Sequence, residues 1–233
     1  MKILIVDDHP LIREALRHVL PGLSERVALF DAESCETGLN VAAQHEDLDL
    51  VLLDLSLPGA SGMTALQTFR DRFPALPIVV LSGFDDHDSV VSALDGGAMG
   101  FIPKSSSNDV VLNALRLVLS GSVYVPPQAL TAEGGGGRPT HQGFASRSAS
   151  QGTHLSPAEL GLTDRQADVL SLMLQGKPNK LICRELNLAE GTVKVHITAI
   201  LRALNVANRT QAVLAASRLG LQIGLDRDGR NES

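Results

Sequence analysis

Five polar residues stand at the ends of four apolar runs. Asp7 and Asp8 follow ILIV, Asp54 follows LVLL, Ser82 follows IVVL, and Lys104 comes just past GFIP. Carboxylates hold hard cations, a hydroxyl donates to a phosphate oxygen, and an ammonium neutralises anionic charge. Each run is short, continuous and rich in branched side chains, as expected of a strand covered on both faces. In an all-parallel sheet the carboxyl ends share one edge, where ligands of open α/β sheets bind. Residues about 100 positions apart in the chain therefore meet in one crevice.

Three carboxylates at close range oppose one another's ionisation unless a cation compensates. Mg²⁺ suits such a set, since it takes one or two carboxylates, phosphate oxygens and water. The charges of Asp7, Asp8 and Asp54 then balance those of Mg²⁺ and Lys104. Phosphorylation of a carboxylate would disturb that balance by about one negative charge, with Ser82 placed to donate to a phosphoryl oxygen. A local charge step of this kind can bias a two-state element.

The elements that must position these residues are strands at Ile3–Val6, Val27–Phe30, Asp49–Leu53, Ile78–Leu81 and Gly100–Ile102. Helical stretches alternate with them at Pro10–Leu20, Ser34–Gln44, Thr64–Asp71, Ser89–Leu94 and Asn108–Leu119. This alternation predicts a doubly wound, flavodoxin-like α/β domain over residues 1–122 with a five-stranded parallel sheet. From 123 to 158 the composition changes: GGGGRPTHQGFASRSASQGTH has almost no apolar content. That segment reads as a flexible Gly/Ser/Pro linker.

Residues 159–223 read as a small all-α, four-helix domain containing a helix-turn-helix, followed by a tail at 224–233. Thr163 and Gln166 form a capping-box pattern, and Gly176 ends the first helix. Asn179 is placed to cap a helix over Lys180–Leu186. The next helix runs from Glu190 to Leu204, and the last from Thr210 to Leu219. Val193, Ile197, Ile200, Leu201 and Leu204 recur at helical spacing and face inward. Lys194, Val195 and Thr198 are left on the outer face near a helix start, where a recognition helix reads base edges. Lys180, Thr192, Arg209 and Thr210 lie at helix starts suited to phosphate.

The charge distribution agrees. Residues 1–125 carry 17 acids against 8 bases, a net −9, whereas residues 159–218 carry 5 against 8, a net +3. Such asymmetry points to a nucleic-acid module in the C-terminal half. Hydrophobic residues make up 44% of the chain, which supports two cores. No apolar run approaches membrane-spanning length, and the N-terminus has no signal-peptide pattern. The two cysteines, Cys35 and Cys183, fit a reducing cytoplasm. His9 follows the acidic pair, where a metal role is open to it, but the expectation is a solvent-facing residue at a helix start. His87 is expected to be an exposed loop residue.

Residues 1–122 resemble a response-regulator receiver domain. The resemblance rests on the acidic pair after the first strand, Asp54 followed by LSLPGASG, and Ser82, Phe101 and Lys104 in order. It implies that Asp54 is the phospho-acceptor and that Asp7, Asp8, Asp54 and the Ser56 backbone carbonyl hold Mg²⁺. It also implies that Ser82 and Lys104 engage the phosphoryl group, and that Phe101 is the aromatic switch residue. Gly83 stands where Ala is usual, and Phe101 where Tyr is more frequent.

The C-terminal region resembles the LuxR-type helix-turn-helix of the NarL/FixJ subfamily through LTDRQADVL, GKPNKLICRELNL and EGTVKVHITAILRALNVANRTQAV. Ala189 replaces the usual capping Ser or Thr. The two resemblances imply a response-regulator transcription factor rather than an enzyme. Its implied partners are a histidine kinase, double-stranded promoter DNA, a second copy when active, and RNA polymerase as a further candidate. The competing readings are an aspartyl-phosphate phosphatase or phosphotransferase, and a receiver that signals by protein contacts alone. A haloacid-dehalogenase-type hydrolase would need a second acid where Ser56 stands.

Overall fold

Alternation along each strand sorts the N-terminal side chains onto two apolar faces. The computed structural model describes residues 1–59, 62–130, 157–219 and 221. Its strands are β1 (Lys2–Val6), β2 (Ala28–Ala32), β3 (Leu50–Asp54), β4 (Ile78–Ser82) and β5 (Gly100–Pro103). They form one parallel sheet in the order β2-β1-β3-β4-β5. Helices α1 (Pro10–Val19), α2 (Cys35–Gln44), α3 (Gly62–Arg72), α4 (His87–Asp95) and α5 (Asn108–Leu119) follow the strands in turn.

Leu4, Val6, Val51, Leu53, Val80 and Phe101 pack with Leu39, Leu66, Phe69 and Val90 of α2, α3 and α4. Ile3, Ile5, Leu52, Leu81 and Ile102 pack on the opposite side with Leu16 of α1 and Leu115 and Val118 of α5. This period of two places a helix layer on each face and leaves the strand ends free to carry chemistry.

Some boundaries differ from the sequence expectation. Strand β2 lies one to two residues later than expected, because pairing of Lys2 with Ala28 and Val6 with Ala32 sets its register. Helix α4 begins at His87, since Asp86 accepts from the Ser89 backbone N–H at 2.9 Å. His87 is therefore helical rather than a loop residue, and its Nδ1 lies 2.9 Å from the Ala129 carbonyl oxygen.

That contact belongs to a segment continuing past α5. The Tyr124 backbone N–H donates to Met99 O at 3.1 Å, and Phe101 N–H donates to Tyr124 O at 3.2 Å. A short helix, α6 (Pro127–Leu130), then packs beside α4, with Ala129 in the core. The packed chain thus extends beyond residue 122 to 130. Residues 131–156 of the expected linker and the tail at 224–233 lie outside the described residues.

Among the described residues, four α-helices build the C-terminal part after a short 3-10 turn at Pro157–Leu160: α7 (Asp164–Leu174), α8 (Asn179–Leu186), α9 (Glu190–Ala203) and α10 (Arg209–Arg218). Thr163 and Gln166 form the anticipated capping box. Asn179, by contrast, is the first residue of α8, and Pro178 holds the cap position without a side-chain bond. The proline ring fixes the entry angle and thereby displaces the asparagine from the cap. Ala189 offers no cap to α9, as its side chain requires. Val169, Met173, Ile182, Val193, Ile197, Ile200 and Ala212 close the core of this bundle.

Candidate functional site

The carboxyl ends of β1, β3, β4 and β5 bring Asp7, Asp54, Ser82 and Lys104 to one sheet edge. Asp7 and Asp54 are fully buried. Lys104 Nζ lies 2.7 Å from Asp54 Oδ2 and 2.8 Å from Asp7 Oδ2, tying β1 to β3 from the end of β5. Asp54 Oδ1 accepts from the Ser56 backbone N–H at 3.0 Å, which turns the chain sharply after the strand. Asp7 Oδ1 accepts from the His9 N–H at 2.9 Å. Burial alone would lower the Lys104 pKa, but hydrogen bonds and attraction from Asp54 and Asp7 outweigh it and raise it. The ammonium therefore stays charged at neutral pH.

Asp8 sits at the rim, with Oδ1 buried and making no directed hydrogen bond, although His9 Nδ1 is 2.9 Å away. Carboxylate oxygens with unused lone pairs, turned toward one another, are the donor set a hard divalent ion takes. The residues present thus fit Mg²⁺. Ser82 is buried and its Oγ accepts from the Phe84 N–H at 3.1 Å. Pairing of Ser82 with Pro103, and a 2.7 Å bond from Lys104 N–H to Ser82 O, place the hydroxyl and the ammonium on adjacent strand ends. Phe101 is fully buried. Its backbone N–H is held by Tyr124, which links the aromatic residue to the segment leading out of the domain.

The residues read as DNA contacts are split in their surroundings. Thr192 and Val195 are exposed, Val195 by 67%. Thr198 and Thr210 are half-buried. Lys194 Nζ donates to the carbonyl oxygens of Glu46 at 2.6 Å and Leu48 at 2.5 Å. Lys180 Nζ pairs with Asp49 Oδ2 at 2.9 Å. Both lysines are thus directed at the loop before β3, the edge of the sheet opposite Asp54. Arg209 lies half-buried and donates to Met173 O at 2.9 Å and Lys177 O at 2.7 Å, with burial lowering its pKa to about 10.

A third link between the domains is Arg70 of α3. Its guanidinium donates to Leu76 O at 3.0 Å, to Pro74 O, and across to Ala207 O before α10. Burial lowers its pKa to about 10. A cavity of about 250 Å³ lies between the domains, lined by Leu48, Pro77, Met99, Lys194, Ile197 and Leu201 among others. It stands apart from the acidic crevice. Sequence reasoning did not pick out Arg70 or Asp49, because their partners belong to the other domain and no local pattern marks them.

Comparison with known proteins extends over both halves. Residues 3–116 match the response regulator receiver domain, and residues 160–216 match the bacterial regulatory proteins of the luxR family. The chain is 40% identical over 216 residues to the glycerol metabolism activator of Pseudomonas putida, covering 92% of this chain and 94% of that protein. This chain belongs to the LuxR family of response regulators. It is 32% identical to the nitrate/nitrite response regulator NarL of Escherichia coli K12, over 91% of this chain and 93% of NarL. Among solved structures, a LuxR-family two-component response regulator from Aurantimonas superposes with TM-score 0.52 at 26% identity, covering 55% of this chain and 91% of that one. Salmonella typhimurium RcsB shares the fold of nearly the full length, with TM-score 0.52 at 22% identity over 94% of this chain and 99% of that one. The LuxR-family regulators it resembles are transcriptional regulators, and this chain is a response-regulator transcription factor. No helix among the described residues is long and apolar enough to cross a membrane.

Proposed function

We propose that this transcription factor is switched by transfer of a phosphoryl group to Asp54 from a histidine kinase. The N–P bond of the ring-protonated phosphohistidine breaks with its electron pair going to nitrogen, an Asp54 Oδ–P bond forms, and the kinase histidine leaves as the neutral imidazole, keeping the ring proton. Asp7, Asp8, Asp54 and the Ser56 carbonyl would hold Mg²⁺, which supplies charge neutralisation at the transferring oxygens. Lys104 offsets the remaining charge, and Ser82, whose Oγ accepts from the Phe84 N–H, keeps its hydroxyl proton for donation to a phosphoryl oxygen. The observation that carries this reading is Lys104 Nζ bridging two fully buried carboxylates, Asp7 and Asp54.

Lys180, Thr192, Lys194, Val195, Thr198 and Thr210 form the candidate DNA surface, with Lys194 reading a base edge; the guanidinium of Arg209 is instead taken up by Met173 O and Lys177 O within the bundle. In the docked arrangement Lys194 and Lys180 are occupied by Leu48, Glu46 and Asp49, so DNA and the receiver compete for the same ammonium groups. Phosphorylation shifts Ser82 and Phe101, and through Tyr124 the segment that leads to the C-terminal domain. That favours release of the DNA surface and pairing of two copies on adjacent half-sites. The fit of the charges favours this account: an acidic receiver with net −9 holds a basic bundle with net +3.

The test is Mg²⁺-dependent labelling by a small phosphodonor, compared with Asp54→Ala. Label on the unsubstituted protein alone is expected. Equal label on both would remove Asp54 from the role.

A further inference from the structure

His9 is exposed over most of its ring, yet Nδ1 turns back onto the acidic crevice. It lies 2.9 Å from Asp8 Oδ1, 3.2 Å from Asp7 Oδ1 and 3.9 Å from Asp54 Oδ2. The backbone brings the ring to the crevice. His9 occupies the position before α1 in an extended conformation, φ −87° and ψ 110°, and its N–H is anchored on Asp7 Oδ1. One ligand atom from each of Asp7, Asp8, His9 and Asp54 lies within 4.8 Å of the other three. Asp7 and Asp54 are fully buried, which fixes two of the four donors, while Asp8 and His9 stand at the rim.

Imidazole changes what the crevice can hold. Mg²⁺ takes oxygen ligands in a near-octahedral shell and keeps several waters. Ions late in the first transition row take imidazole readily. Zn²⁺ in particular is satisfied by four ligands, and a site that supplies all four from the protein has no open position. Asp7, Asp8, Asp54 and His9 supply four.

We propose that His9 Nδ1 is a fourth side-chain ligand that makes the phospho-acceptor crevice a closed site for Zn²⁺, antagonistic to phosphorylation, while Mg²⁺ binds through oxygen alone. The proposal rests on the reading of this crevice as a divalent-metal site. In the Zn²⁺ form Asp54 is a ligand with no free approach for a phosphoryl donor. In the Mg²⁺ form the waters leave positions for the donor's oxygens, and His9 stays outside the coordination shell.

The experiment is calorimetric titration of the full-length protein and of His9→Gln with MgCl₂ and, separately, ZnCl₂. His9→Gln is expected to weaken Zn²⁺ binding by about tenfold or more, the scale on which groups around a metal act, and to leave Mg²⁺ binding within about twofold. Substitution of Co²⁺ supplies a second readout. The unsubstituted protein should show a hyperfine-shifted imidazole proton resonance that His9→Gln lacks. In a labelling assay containing Mg²⁺, added Zn²⁺ should suppress phosphorylation of the unsubstituted protein more than that of His9→Gln. Equal loss of both ions in His9→Gln, no loss of Zn²⁺, or a Co²⁺ spectrum unchanged by the substitution would overturn the proposal. Failure of Mg²⁺ to bind the unsubstituted protein would count against the metal role proposed for phosphorylation, whereas the Zn²⁺ titration judges His9 by itself.

Discussion

Lys194 of α9 donates its Nζ to the carbonyl oxygen of Leu48 at 2.5 Å. The Lys194 side chain is thereby held by the receiver, two residues before β3 begins. If Lys194 reads a base edge, as proposed above, this bond and its neighbour to Glu46 must be exchanged for contacts to DNA, and docking and DNA binding then exclude one another at Lys194.

Asp49 offers the clearest way to loosen this docking without touching the DNA surface. It pairs with Lys180, whose side chain is 53% exposed against 10% for Asp49, and the same Oδ2 accepts from the Lys2 N–H at 2.8 Å, a bond that an Asn oxygen can keep. With the ammonium in solvent the ion pair contributes about 0.2–1 kcal/mol. Asp49→Asn is expected to raise the affinity of the unphosphorylated protein for DNA by up to about fivefold. The effect should shrink as salt rises and screens the pair. Fluorescence anisotropy with a labelled duplex at two ionic strengths reads both trends.

Arg70 joins the domains differently, through carbonyl oxygens. Arg70→Ala removes donors from Leu76, Pro74 and Ala207 and leaves a void in a buried position. Stability of the receiver should fall by about 1–3 kcal/mol for the oxygens left without a donor. Docking should weaken as well. Urea unfolding measures the first effect. Small-angle scattering of the full-length protein measures the second, as an increase in radius of gyration.

Much of the N-terminal domain was legible because its signals are local. Continuous branched runs mark the strands, and a polar residue at each strand end marks the crevice. Asp7, Asp54, Ser82 and Lys104 meet as the parallel topology requires. The C-terminal caps were less legible: Pro178 displaced Asn179, and α10 begins one residue early because Asn208 accepts from Gln211 N–H at 2.9 Å. What spacing could not convey is contact between distant, unpatterned parts. Tyr124 pairing with β5, His87 meeting Ala129, and Lys194 meeting Leu48 each depend on how finished elements pack. His9 is exposed at the start of α1, as its neighbours in sequence suggest. The approach of its Nδ1 to Asp8 Oδ1 at 2.9 Å depends on side-chain torsions that spacing does not carry.

Gly83 and Gly62 flank the crevice with opposite tolerance. A Cβ on Gly83 would meet nothing within 4 Å. Gly83→Ala should therefore preserve phosphorylation and add up to about 1 kcal/mol by restricting the unfolded chain. Thermal unfolding and a labelling assay check this pair of outcomes.

A Cβ on Gly62 would lie 2.1 Å from Leu55 O and 2.3 Å from Leu55 Cα. Helix α3 must move away from the turn after Asp54 to admit it. Gly62→Ala is expected to cost about 1–3 kcal/mol, the range for overpacking. It should also slow labelling of Asp54, because the Ser56 N–H that orients the carboxylate shifts with the turn. Single-turnover labelling of the folded variant at low temperature separates the two effects.

Charge added at Asp54 is proposed to free Lys194 for DNA. The most direct test is the affinity of the full-length protein for an operator duplex before and after treatment with a phosphodonor and Mg²⁺, alongside Asp54→Ala. Tighter binding is expected after treatment of the unsubstituted protein, with no change for Asp54→Ala and loss of the gain in Lys194→Ala. Tightening that persists in Asp54→Ala, or an affinity indifferent to phosphorylation, would contradict it.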